Sequence, residues 1–230
     1  MIAALCLATV LEAFQPDIAI VRRVFEEGLA RRQREFGDAD PRTAQAARDL
    51  GLFLERVGDT AGARRALQQA VQIDEKAAGP EAEVTLQDAG DLAAISPPAL
   101  AAPLLLRASK STDPTVAGPA LSALANIRKA AGDRAGAADL LRRAVTRAEA
   151  VDGKDGPMVP LVLDSLAAVA EPEEAVASLR RAVDIDRRAL GPKHARTLQD
   201  VRALANLLRR LGRAGEAAAL EHEFTSALSH

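Results

Sequence analysis

Apolar residues return at spacings of four and three along most of this chain. Ala63, Leu67 and Ala70 form one such stripe, Ala137, Leu141 and Ala144 a second, and Ala175, Leu179 and Ala182 a third. These intervals put each set on one face of an α-helix. Short polar breaks separate the stripes. Gly58-Asp-Thr-Ala-Gly-Ala63 matches Gly132-Asp-Arg-Ala-Gly-Ala137, and Gly212-Arg-Ala-Gly-Glu-Ala217 keeps the same spacing. The leading glycine suits a left-handed helix end, and the polar residues after it open the next helix. The pattern predicts helix pairs at 42–57 with 60–78, 114–131 with 134–151, and 194–211 with 214–228. Shortened pairs are predicted between them, at 83–95 with 98–110 and 157–169 with 172–190. One more helix is predicted at 17–36, with Val21 and Phe25 turned inward.

A longer phrase fixes the period. Gly37-Asp-Ala-Asp-Pro-Arg-Thr43-Ala-Gln45 returns as Gly79-Pro-Glu-Ala-Glu-Val-Thr85-Leu-Gln87 and as Gly191-Pro-Lys-His-Ala-Arg-Thr197-Leu-Gln199; the first two copies lie 42 residues apart. A period of that size marks a stacked array of small helical units. The shortened pairs have 17 residues from Gly79 to Ser96 and from Gly153 to Ala170, where the full pair has 21 from Gly37 to Gly58. A loss of about one turn rotates the buried face by only ~40°, so the stacking pattern survives it. Pro98, Pro103 and Pro172 are placed in first helical turns, and Pro119, Pro157 and Pro160 near the starts of their helices, where a missing N–H costs little. The threonines are expected to cap or brace the first turn of their helices. The glutamines, recurring in several units, are expected to pack between units.

Composition narrows the fold. Hydrophobic residues are 48% of the 230, mostly Ala and Leu, while aromatics are 2% with no Trp or Tyr. Ala and Leu pack helices closely, whereas sheets draw on aromatic and β-branched residues that are scarce here. The expected fold is an all-α, right-handed superhelical solenoid of stacked antiparallel helix pairs. No Pro/Ser/Gly-rich linker divides 17–230, which therefore reads as a single array of about five pairs plus the N-terminal helix. Residues 1–16 leave two readings open. Met1 to Phe14 is apolar except for Glu12, like a short secretory signal without its basic start, and would then direct export. Alternatively it is the first helix of the first repeat of a cytoplasmic protein, because Leu11 falls where Phe53, Ile127 and Leu207 fall later.

The C-terminal unit carries the plainest resemblance. Ala189-Leu-Gly191-Pro-Lys-His-Ala-Arg-Thr197, followed by Leu204-Ala-Asn206-Leu-Leu-Arg-Arg-Leu-Gly212-Arg-Ala-Gly-Glu-Ala217, resembles a tetratricopeptide repeat of the kinesin light chain type, with its long unit. The likeness runs through nearly all of 17–228 and is strongest at 37–79, 113–153 and 191–228. It implies a protein-binding scaffold rather than an enzyme.

Charge and reactive residues point the same way. The net charge is -2, with basic and acidic residues interspersed, so there is no basic footprint for nucleic acid. The single cysteine, Cys6, has no internal disulfide partner. Glu221-His222-Glu223 lacks a second histidine at helical spacing, and Asp152-Gly153-Lys154-Asp155-Gly156 lacks the alternating ligands of a calcium loop. No cofactor, metal site or catalytic set is expected, and no membrane span.

What remains is a surface. Aligned on the repeats, Asn126, Asp164 and Asn206 share one position on the first helix of each pair, with Leu52 as the equivalent in the first clear repeat. Arg48, Ser122 and Arg202 lie one turn earlier; Glu55, Lys129 and Arg209 lie one turn later; Gln45 and Gln199 extend the stripe. An amide both donates and accepts, so it can pair with peptide backbone, while arginine forks onto carboxylates. The resemblance carries a peptide-binding role onto Asn126 and Asn206, which sit in its Leu-Ala-Asn phrase. Asn126, Asn206, Asp164, Arg48, Arg202, Lys129, Arg209, Gln45 and Gln199 are therefore the candidates for a groove binding a protein or peptide partner. An alternative is a structural or regulatory scaffold that self-associates through its terminal helices or serves a signalling ATPase system.

Overall fold

The computed structural model describes residues 18–228. Eleven α-helices and no β-strand occur among them. They are α1 (Ile18–Phe36), α2 (Pro41–Arg56), α3 (Thr60–Ala77), α4 (Glu83–Ala94), α5 (Pro98–Ala108), α6 (Pro114–Ala130), α7 (Arg134–Asp152), α8 (Met158–Ala167), α9 (Pro172–Leu190), α10 (Ala195–Arg210) and α11 (Ala214–Leu228). Every predicted helix is present, with ends within two residues of the expected ones. The expectations for residues 1–16 lie outside the described residues.

The helices group into two compact units that meet in sequence at Pro97 and Pro98. In the first, α1 to α4 pack each on the next. Its core joins Leu29 of α1, Ala47, Leu50 and Leu54 of α2, and Ala63, Ala66 and Ala70 of α3. Val21 is half-buried, and Phe25 stacks on Phe53 with ring centroids 5.0 Å apart. In the second unit α5 to α11 likewise pack in succession, ending in a core of Leu179, Val183, Val201, Leu204, Leu208 and Phe224. The predicted stripes face inward: Ala63, Leu67, Ala70, Ala137, Ala144 and Ala182 are all 0% exposed.

The repeated long phrase is a loop clasp. The Thr43, Thr85 and Thr197 hydroxyls donate to the carbonyl oxygens of Gly37, Gly79 and Gly191 at 2.8, 2.8 and 2.9 Å. Each threonine is the third residue of its helix and fully buried. The bond ties the exit of one pair to the entrance of the next. The glycines take φ of 87°, 99° and 91°, which a side chain would strain. Capping itself falls to Asp40 and His194, whose side chains accept the N–H of Arg42 and Arg196. The glutamines depart from expectation: Gln45 and Gln199 are exposed, and the Gln45 amide donates to Asp49 on its own helix.

The shorter phrase is a cap with a steric condition. Asp59 and Asp133 accept the N–H of Gly62 and Gly136 at 2.8 Å each. A β-carbon on Gly62 or Gly136 would sit 2.6 or 2.3 Å from the capping carboxylate. A glycine three residues after the aspartate is therefore what admits the cap. In the third copy Arg213 replaces the aspartate and Glu216 the glycine three residues on, while Gly215, one residue earlier, has open space around it. Gly136→Ala is expected to dislodge the Asp133 cap and lower the melting temperature by about 2–4 °C, while Gly215→Ala raises it slightly. Thermal melts of the two variants check this.

Two prolines are deeper than expected. Pro103, expected in a first turn, and Pro119, expected near the start of its helix, are each the sixth residue of their helix. Each removes the helical N–H that would bond the carbonyl four residues back, on Ala99 or Thr115. Both prolines face solvent, where water can take up that carbonyl.

Candidate interaction surface

The first helices of the pairs in the second unit, α6, α8 and α10, carry most of the predicted column. Asn126, Lys129, Gln199, Arg202 and Asn206 are exposed there, and among the described residues none of their side chains is bonded to another group. Arg209, also exposed, pairs with Glu221 of α11.

Beside the column lies an apolar cleft of about 440 Å³. Thr115, Gly118, Pro119 and Ser122 of α6 form one wall, and Met158, Leu161, Val162 and Ser165 of α8 the other; Ala144, Ala148 and Val151 of α7 make the floor. Met158, Leu161 and Val151 are 47%, 45% and 45% exposed. Sequence alignment named Ser122 but not the apolar wall opposite. The signal was present: Met158 to Leu163 is one unbroken apolar run, so a helix burying Val159, Pro160 and Leu163 must show the rest to solvent.

Two predicted groove residues are engaged inside the units instead. Arg48 is only 19% exposed; its Nε donates to Asp91 Oδ2 at 2.7 Å and lies 3.1 Å from Asp88 Oδ1. Asp164 is half-buried, its carboxyl raised to about 6 by burial against the neighbouring Asp186, with Arg196 opposing. Both belong to buried acidic junctions that the repeat phrase creates. In the first, Asp74 of α3 meets Asp88 of α4, at 1% exposure each. In the second, Asp186 of α9 and Asp200 of α10 meet Asp164 of α8 at 2% exposure for the first two. Arg196 Nε lies 2.7 Å from Asp186 Oδ2 and its Nη2 donates to the Pro157 carbonyl. Burial and then the like charge beside it raise Asp88 to about 7, and the same causes raise Asp200 to about 7. Among the described residues no cluster of His, Cys, Asp or Glu is arranged to hold a metal ion, and no described helix is long and apolar enough to cross a membrane.

Residues 43–81, from the first clasp threonine through the first buried aspartate to the second clasp glycine, match the tetratricopeptide repeat family. Solved structures extend the likeness along the chain. The putative kinesin light chain of Podosopora anserina, built of nearly identical repeats of this kind, superposes with a TM-score of 0.64 at 21% identity, over 83% of this chain and 97% of that one. The described residues therefore share the fold of tetratricopeptide-repeat proteins, kinesin light chain-like ones among them. BtubC (BKLC) from P. vanneervenii aligns with this chain at a TM-score of 0.68 and 15% identity, over 94% of this chain and 92% of the other. MamA aligns at 0.56 and 18% identity, over 80% and 91%. At these identities the likeness is one of fold. No curated protein matches the sequence. A tetratricopeptide-repeat fold supports a protein-interaction or scaffold role.

Proposed function

We propose that this protein is a non-catalytic interaction module, and that the first-helix face of its second unit receives an extended segment of a partner protein. The observation that carries this is the open apolar cleft between α6 and α8, on the unit where the exposed Asn126, Lys129, Arg202 and Asn206 side chains are left unengaged. Burying one apolar side chain of the partner against Met158, Leu161 and Val151 supplies the non-directional part of the affinity. Asn126 and Asn206 supply donors and acceptors for its backbone. Lys129 and Arg202 favour acidic side chains along it.

The test is direct. Peptides selected against the chain from a random display library are titrated by fluorescence anisotropy against two double variants. Met158→Arg with Leu161→Arg is expected to weaken binding at least about tenfold, and Asn126→Ala with Asn206→Ala by about three- to tenfold. All four positions are solvent-accessible, so helicity and melting are expected to hold. Wild-type affinity in both variants means the partner is held elsewhere.

A further inference from the structure

The clasped phrase occurs three times, but only two copies carry buried acid. Five residues before the glycine and nine after it stand Asp74 and Asp88 in one copy, Asp186 and Asp200 in another, and Arg32 and Ala46 in the remaining one. In the two acidic copies the aspartates close the joint between one helix pair and the next, α3 against α4 and α9 against α10.

Cation supply at each joint falls short of the acid. Three carboxyls, Asp74, Asp88 and Asp91, face one guanidinium, Arg48, whose Nε–H is given to Asp91. If every carboxyl is ionised, Asp74 Oδ1 and both oxygens of Asp88 are buried without a donor. At the second joint Asp164, Asp186 and Asp200 face one guanidinium among the described residues, Arg196; Asp164 Oδ1, Asp186 Oδ2 and Asp200 Oδ2 are likewise buried without a hydrogen bond, as is Arg196 Nε, 2.7 Å from Asp186 Oδ2. The carboxylates of α11 go elsewhere, Glu221 to Arg209, Glu223 to Arg187 and Glu216 to Arg213. One proton at each joint supplies the missing donor, because a protonated Asp88 or Asp200 can donate to the carboxylate it faces.

We propose that these two joints are proton-dependent locks, closed when Asp88 and Asp200 hold a proton and loosened when they lose it, while the Arg32–Ala46 joint does not respond.

The direction follows from linkage. Asp88 and Asp200 are raised to about 7 in the fold, above the ordinary aspartate value. The folded state then binds more protons than the unfolded one between those values. The stability these groups lend is therefore fully present only below the ordinary aspartate value, falls steadily as pH rises toward about 7, and is flat above it. The carboxyls lowered in the fold, Asp40, Asp133, Glu174 and Glu216, are ionised in both states above about pH 5.5 and give no slope there.

Thermal melts of the full chain between about pH 5.5 and pH 8.5 are expected to drop by about 5–10 °C. Asp88→Asn with Asp200→Asn, which keeps a donor and an acceptor but no charge, is expected to abolish most of that slope. A second measurement stands whether or not the variant folds well. Native-state hydrogen exchange on the wild type, corrected for intrinsic rates, is expected to show protection at 74–88 and 186–200 falling at least about tenfold across the window, with 32–46 unchanged. Equal change at all three joints, or no change at any, overturns the proposal.

Discussion

Cutting Leu67 back to alanine is expected to lower the stability of the chain by about 2–5 kcal/mol, read as a shift of the urea midpoint at constant m-value. Leu67 is 0% exposed on α3 and sits directly over Gly51 of α2. A β-carbon at Gly51 would lie 2.7 Å from Leu67 Cγ and 3.2 Å from the Leu67 backbone nitrogen. That clearance makes a reciprocal test. Gly51→Ala alone gains about 1 kcal/mol of helix propensity but must push Leu67 aside, at about 1–3 kcal/mol, so it is expected to destabilise. With Leu67 already shortened, the same methyl enters vacated space, and Gly51→Ala is expected to stabilise. An additive cycle would mean the two helices do not touch at this point.

The helices and their pairing were legible because the chain has to bury its stripes, and stripes at spacings of four and three leave few alternatives. The repeat glycines were legible for a similar reason, since a left-handed turn accepts little else. The buried acid was not. Asp74 lies four after Ala70 and three after Val71, on the inward stripe, and Asp88 lies three after the clasp threonine. Position alone therefore marked both as internal. Carboxylates on helices are usually solvated, and that expectation outweighed the spacing. The same habit assigned Arg48 to an open groove, although its helix face already belonged to the joint with Asp88. Asn126 and Asn206 stayed on the surface as aligned. The cleft beside them was missed because an alignment of polar residues cannot display an apolar wall.

Arg48→Met is expected to cost the first unit about 3–5 kcal/mol near neutral pH, as breaking a buried ion pair leaves its partners uncompensated. The thioether keeps most of the stem's packing, so the loss reports the charge. Arg48 opposes the rise of Asp88, so without it Asp88 holds its proton more firmly still. The variant is therefore expected to lose less at about pH 5.5, where Asp88 is protonated already, than at about pH 8.5, where two or three carboxylates are left with no cation. Asp88→Asn in the same chain is expected to return much of the loss, since it removes the charge that Arg48 was neutralising. Arg209→Met makes the control, because Arg209 and Glu221 pair in solvent and their separation is expected to stay within the scatter of the melt. Urea titrations of the four chains at the two pH values decide it. A loss from Arg48→Met that is the same at both pH values, or that Asp88→Asn does not relieve, would make Arg48 a packing residue and leave the carboxyls to be stabilised by something other than its charge.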